Sequence, residues 1–155
     1  MKGDSKVIEL LNELLAGELT AMDQYFIHSR MYQDWGFHRL YERVNHEMSD
    51  ETEHASRLIE RILFVEGVPD LARREGLFLG KNVPEMLKND LVLELKVVDR
   101  LKEVIAYCES VKDYQTREIL EAMLTDTEED HAYWLEQQLG LIEKTGLQNY
   151  LQSQM

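Results

Sequence analysis

Residues 51–54 read Glu-Thr-Glu-His and residues 128–131 read Glu-Glu-Asp-His, so the pattern Glu-x-x-His occurs twice in a chain of 155 residues. Three residues of an α-helix turn about 300°, which puts Glu51 with His54, and Glu128 with His131, on one face each. A single pair carries little weight, because a charged, solvated face produces it by chance. The surroundings carry more. The interval from Glu18 to Glu51 nearly equals that from Glu94 to Glu128, and both lone glutamates sit among leucines: Leu14, Leu15 and Leu19, then Leu91, Leu93 and Leu95. The chain thus repeats one unit, a single Glu on one helix followed by Glu-x-x-His on the next. A buried carboxylate without a partner is costly and tends to take up a proton. Four of them converging in one core make sense when divalent cations neutralise them. Carboxylate with imidazole suits iron or manganese, and bridging carboxylates hold two such ions close together.

The helices that carry these residues follow from periodicity. Val7, Leu10, Leu11, Leu14 and Leu15, then Met22, Phe26 and Met31, recur at helical spacing, with Asp4 as N-cap and Gly36 as stop. A second helix is predicted from about Arg39 to Glu66, closed by Gly67 and Pro69. The interval through Leu71, Gly76, Leu77, Leu79 and Gly80 has no clean period and reads as a long connection. Asn82, with Pro84 in the first turn and Glu85 at the third position, starts a third helix. Asp113 caps a fourth that ends near Gly146, and Leu147, Tyr150 and Leu151 suggest a short fifth. Each long helix would have about 28 residues, roughly 42 Å. Two tight hairpins joined by one long crossover are the topology of a ferritin-like, all-α four-helix bundle. The whole chain, residues 1–155, is expected to be one such domain.

Composition narrows the field. Hydrophobic residues make up 44% and charged residues 30%, with only two prolines and eight glycines, which suits long helices. A net charge of −13 argues against a nucleic-acid partner, since phosphate binding needs clustered Lys and Arg. Cys108 is the only cysteine, leaving no disulfide and no thiolate metal site. No apolar run approaches the length of a membrane span and the N-terminus has no signal-type core, so a cytoplasmic location is expected.

Four glutamates and two Glu-x-x-His histidines are the ligand set by which ferritin-like di-iron proteins are recognised, so that assignment is a match and not a derivation. The chain in fact resembles the bacterioferritins over its whole length, from Met1-Lys2-Gly3-Asp4 to the tail beginning Gly146-Leu147-Gln148-Asn149. Asp23-Gln24-Tyr25-Phe26, His28-Ser29-Arg30-Met31 and Leu58-Ile59-Glu60-Arg61-Ile62-Leu63-Phe64 also look like the family. The resemblance implies iron storage and detoxification. Fe(II) would be oxidised by O2 or H2O2 at a ferroxidase centre of Glu18, Glu51, His54, Glu94, Glu128 and His131. Glu51 and Glu128 would bridge two irons, and ferric mineral would collect inside a shell of 24 subunits. A ferredoxin-type reductase is an implied partner. Tyr25, two turns beyond Glu18, resembles the family tyrosine beside the irons, a one-electron donor. His46 and Asp50, four residues apart, have a spacing that holds a metal ion and resemble an inner-surface iron site of some relatives.

Two departures stand out. Family members ligate haem, between two subunits, with a methionine directly after the second ligand glutamate; here that residue is Thr52. The chain is therefore expected to be a ferritin-type member that binds no haem as a homopolymer, though a mixed shell with a methionine-bearing subunit stays open. Second, the stretch Met123-Leu124-Thr125-Asp126-Thr127-Glu128 is one residue longer than in typical members. The extra residue is expected to be absorbed as a π-bulge, with Thr127 where some relatives carry an acid.

Other residues receive plainer readings. Asp90, one turn before Glu94, is a candidate to orient a ligand histidine; His28 and His38 are expected at the surface, Trp35 and Trp134 at helix ends or subunit contacts, and Cys108 in the core. Two other functions compete: a di-iron oxidase or peroxidase acting on another substrate, and a shell subunit that stores without oxidising. A rubrerythrin-like arrangement would need a Cys-rich domain, which Cys108 alone cannot supply.

Overall fold

The computed structural model describes residues 1–155. Helix α1 (Ser5–Asp34) is capped by the Asp4 carboxylate, which accepts from Lys6 N and Val7 N at 2.9 and 3.0 Å. The chain reverses at Gly36, whose φ of 83° is open to glycine, and returns as α2 (His38–Phe64). That helix stops two residues before the expected Glu66, because Glu66 itself takes the left-handed turn at φ 67° and Gly67 N bonds back to Ile62 O at 2.8 Å. Gly67 is needed for space: a Cβ there would lie 2.6 Å from Ile8 Cγ2. Helix α3 (Val83–Ser110) begins at Asn82, whose side chain accepts from Glu85 N at 3.0 Å. The fourth rod is continuous but composite: α4 (Tyr114–Thr125), a π segment (Asp126–Ala132) and α5 (Tyr133–Thr145). Beyond Gly146 lies the short α6 (Leu147–Ser153), pinned by the buried Tyr150, whose hydroxyl donates to Gln138 at 2.8 Å. No helix is long and apolar enough to cross a membrane.

The long crossover follows from where α2 ends. Gly3 N donates to Val65 O at 3.0 Å, so the first hairpin finishes beside its own beginning. Helix α3 runs antiparallel to α1, with the Tyr107 hydroxyl 3.2 Å from Asp4 near the C-terminus of α3. The connection must therefore climb the full height of the bundle, and it does so along α1. Asn12 accepts from Asp70 N at 2.9 Å, Thr20 from Glu75 N at 2.8 Å, Gln24 from Phe78 N at 3.2 Å and His28 Nε2 from Gly80 N at 3.2 Å. The crossover shows no hydrophobic period because its backbone is satisfied by this polar stripe rather than by a helix of its own.

Two expectations are corrected here. His28 is fully buried, not at the surface: Nδ1 lies 2.8 Å from Asp90 Oδ1 while Nε2 takes the crossover amide. Asp90 accordingly serves His28 and Gln24 instead of orienting a histidine of the ligand set. His38 is exposed and Cys108 buried, as expected, while Trp35 lies edge-on to Tyr32 and Trp134 lies under the Arg43 guanidinium.

The apolar core comes in two clusters. One holds Leu11, Leu15, Leu58, Ile62, Leu101 and Leu120; the other holds Tyr25, Tyr32, Leu40, Met86, Leu87 and Leu135. The buried Glu18, Glu51, His54, Glu94 and His131 fall between the two. Gln24 joins α1, the crossover and α3, donating to Asp90 at 2.8 Å as well as accepting from Phe78 N. Gln24→Ala leaves both partners short of a bond and is expected to cost about 1–3 kcal/mol. Faster hydrogen exchange at the Phe78 amide, together with a lower denaturant midpoint, is the readout.

Candidate metal centre

Between the clusters, Glu18 from α1 meets Glu51 and His54 from α2, with ligand atoms all within 4.8 Å of one another. Glu51 also meets Glu94 from α3 and His131 from the π segment in a second group of the same compactness. All five residues are buried to within 1% of full enclosure. Glu51 belongs to both groups and divides its oxygens between them: Oε2 lies 3.7 Å from His54 Nδ1, and Oε1 lies 3.0 Å from His131 Nδ1. Glu18 Oε2 approaches His54 Nδ1 at 3.6 Å, and Glu94 Oε1 approaches His131 Nδ1 at 3.7 Å. The two imidazoles lie nearly parallel, 24° apart, with centroids separated by 6.1 Å.

Each histidine is held from behind by carboxylates. His54 Nε2 lies 3.1 Å from Asp126 Oδ2, and His131 Nε2 lies 2.5 Å from Glu47 Oε2 and 3.1 Å from Asp50 Oδ2. An outer N–H engaged in this way turns the Nδ1 lone pair of the neutral ring inward, the arrangement typical of metal-ligating histidines. Glu47 and Asp126 went unread in the sequence. The available signal was weak: Glu47 stands one helical turn before Glu51. Arg43 anchors Glu47 at 2.5 Å and reaches Asp130 at 2.8 Å.

The electrostatics explain what such a site accepts. Both oxygens of Glu18 and Oε2 of Glu94 are buried without a hydrogen-bond partner, an arrangement that costs free energy unless a cation faces them. Burial, then the Glu51 charge, pushes the Glu18 carboxyl well above the ordinary range, and burial likewise raises Glu94. Burial alone would lower His54, but Glu18 and Glu51 outweigh it and push it up to about 11; His131 is raised in the same way by Glu47, Glu51 and Glu94. Burial and the charges of Glu94 and Asp90 keep the Tyr25 phenol protonated, and its hydroxyl donates to Glu94 Oε1. The donor set, carboxylate oxygens with two imidazoles, fits hard or borderline divalent ions such as Fe(II) or Mn(II).

Glu128 is not brought to this cluster. Its side chain is 47% exposed and lies 3.1 Å from Lys102 Nζ. The expected π-bulge is the reason. In the wider π turn each residue rotates less, so three residues no longer set Glu128 on the face of His131. Thr127 is fully buried there, its hydroxyl donating to Met123 O at 2.8 Å, and Thr125 bonds Glu121 O in the same manner. Such back-bonds compete with the regular ladder. His46 is 65% exposed and 3.5 Å from Asp50. Asp50 joins Glu47, Asp130 and His131 in a third compact acidic group that does not include His46.

A carboxylate–imidazole cluster inside a four-helix bundle with one long crossover defines a ferritin-like protein. A family model described as the ferritin-like domain matches residues 8–145. The chain is 64% identical over 155 residues to the "Bacterial ferritin" of Synechocystis sp., covering all of this chain and 99% of that one. It is 61% identical to the "Bacterial ferritin" of Pseudomonas aeruginosa, with both chains fully covered. It is 42% identical over 150 residues to the "Bacterioferritin" of Mycolicibacterium paratuberculosis, covering 97% of this chain and 94% of that one. The chain belongs to the ferritin family.

The raised Glu18 and His54 values make a signed prediction for metal-stripped protein. A group whose folded value is raised contributes stability below its unfolded value and loses it as pH climbs through the folded one. Metal-stripped protein is therefore expected to lose thermal stability as pH rises from 6.5 towards 11. Glu18→Gln, which removes a buried carboxyl whose oxygens lack any donor, is expected to raise its melting temperature and to reduce the further rise produced by Mn(II). Scanning calorimetry with and without the metal checks both.

Proposed function

We propose that this protein stores and detoxifies iron, oxidising Fe(II) to Fe(III) with O2 or H2O2 at a two-iron centre within each subunit. The ferric product is deposited as mineral inside a closed cytoplasmic shell of 24 copies. The observation that carries the reading is the pair of buried groups, Glu18, Glu51 and His54 with Glu51, Glu94 and His131, joined through Glu51. Fe(II) is the substrate. The residues of this chain hold two ions at fixed separation, shed the histidine protons as metal enters, and surround the product with negative charge that favours Fe(III) over Fe(II). Two ions give up two electrons, which with two protons convert O2 to H2O2 or H2O2 to two waters.

In this reading Glu128 completes the ligand set, turning inward from its place beside Lys102. Tyr25, bonded to Glu94, donates one electron when oxidant exceeds iron, its proton passing to the carboxylate. His46 and Asp50 guide iron at the face of α2. Thr52, whose hydroxyl donates to Met48 O at 3.0 Å, offers no sulfur, so the homopolymer binds no haem in the family manner. A ferredoxin-type reductase would return electrons when iron is withdrawn. Residues 1–155 act as one domain.

The test is the rate of Fe(II) oxidation in air, with iron supplied to fill both positions. Wild type is expected to oxidise fast and Glu94→Ala about 100-fold more slowly, since loss of a ligand costs at least as much as loss of its supporting groups. A wild type no faster than buffer would leave a shell that binds and stores without oxidising.

A further inference from the structure

Glu128 faces a surface cleft of about 520 Å³ that it lines with Leu95, Glu129, Ala132, Tyr133 and Glu136. Leu95 and Ala132 follow Glu94 and His131 in the chain, so the walls of this cleft belong to the same turns of α3 and the π segment as the second metal group. Lys102, on α3, pairs with the Glu128 carboxylate at 3.1 Å. Inside, the belt already holds Glu18, Glu47, Glu51 and Glu94 against two imidazoles. A fifth carboxylate moved into that enclosure meets repulsion from all four unless a positive charge enters with it. At the surface Lys102 supplies that charge.

We propose that Lys102 is a positioning residue that holds Glu128 outside the centre, and that Glu128 exchanges the lysine for a metal ion at the Glu51–Glu94–His131 position. This rests on the two-metal reading above. Lys102 and the incoming ion compete for one carboxylate, so the ammonium group weakens metal binding at that position while keeping a free carboxylate at the mouth of the cleft. The centre is then closed by its cargo rather than assembled in advance.

Co(II) titration of the assembled protein, followed by the visible absorption that reports ligand number, tests this without oxidation chemistry. Lys102 is 55% exposed, so its substitution leaves the fold intact. Lys102→Gln is expected to tighten binding at the second position about twofold to fivefold, the size of one exposed ion pair, and Lys102→Arg to behave as wild type. Glu128→Gln weakens that position, and adding Lys102→Gln to it changes nothing further, the non-additivity expected of residues acting through each other. Equal shifts from Lys102→Gln in both backgrounds would overturn the exchange, leaving the lysine as one charge in a general field. Glu94→Gln separates the two ideas: if it too leaves Co(II) binding unchanged, the two-metal reading falls, whereas weakened binding with an additive cycle removes only the role of Lys102.

Discussion

A belt of charge crosses the middle of the bundle, and the rest of the structure is organised around making it tolerable. Four glutamates and two histidines that water cannot reach sit between two apolar clusters, three of them from α2 and one from each other rod. Ordinary bundle cores avoid this, since an uncompensated buried carboxylate costs several times what a buried leucine contributes. Compensation here is layered. The imidazoles sit among the carboxylates, Asp126, Glu47 and Asp50 hold their outer nitrogens, and Arg43 holds Glu47. Both oxygens of Glu18 and Oε2 of Glu94 stay buried without a donor, an arrangement that a bound cation would relieve.

The fourth rod shows how a local irregularity is tied to this belt. A residue inserted into a helix must either rotate everything beyond it or widen one turn. Rotation would carry Leu135 and Tyr150 away from the second apolar cluster, whereas widening costs only hydrogen-bond geometry over Asp126–Ala132. The protein widens the turn. His131 keeps its place inside, Thr127 stabilises the widened stretch with its hydroxyl, and Glu128 is the side chain that is displaced.

Most of this architecture could be read from the residues. The rods announce themselves by apolar spacing and by caps such as Asp4, Asn82 and Asp113, which form the bonds expected of them. Glu18 and Glu94 were legible because a carboxylate among leucines conflicts with its surroundings, and Glu51, His54 and His131 because Glu-x-x-His recurs at a matching interval after each of them. Glu47, Asp126 and His28 were not, because the contacts that give each its place, with His131, His54 and Asp90, arise only from packing between rods. The crossover was legible only as an absence of period; that it is strapped to α1 by Asn12, Thr20, Gln24 and His28 depends on a meeting of distant segments.

The sharing of Glu51 has a bearing on how the molecule matures during synthesis. Glu18, Glu51 and His54 all belong to the hairpin of α1 and α2, which has only a short loop to close. Glu94 and His131 arrive later, on rods that must dock across the long crossover before they reach Glu51. One position is thus the property of a hairpin and the other of the finished bundle. A growing chain can bring Glu18, Glu51 and His54 together early, but the second group, Glu51 with Glu94 and His131, exists only once its last long rod has closed over the first three.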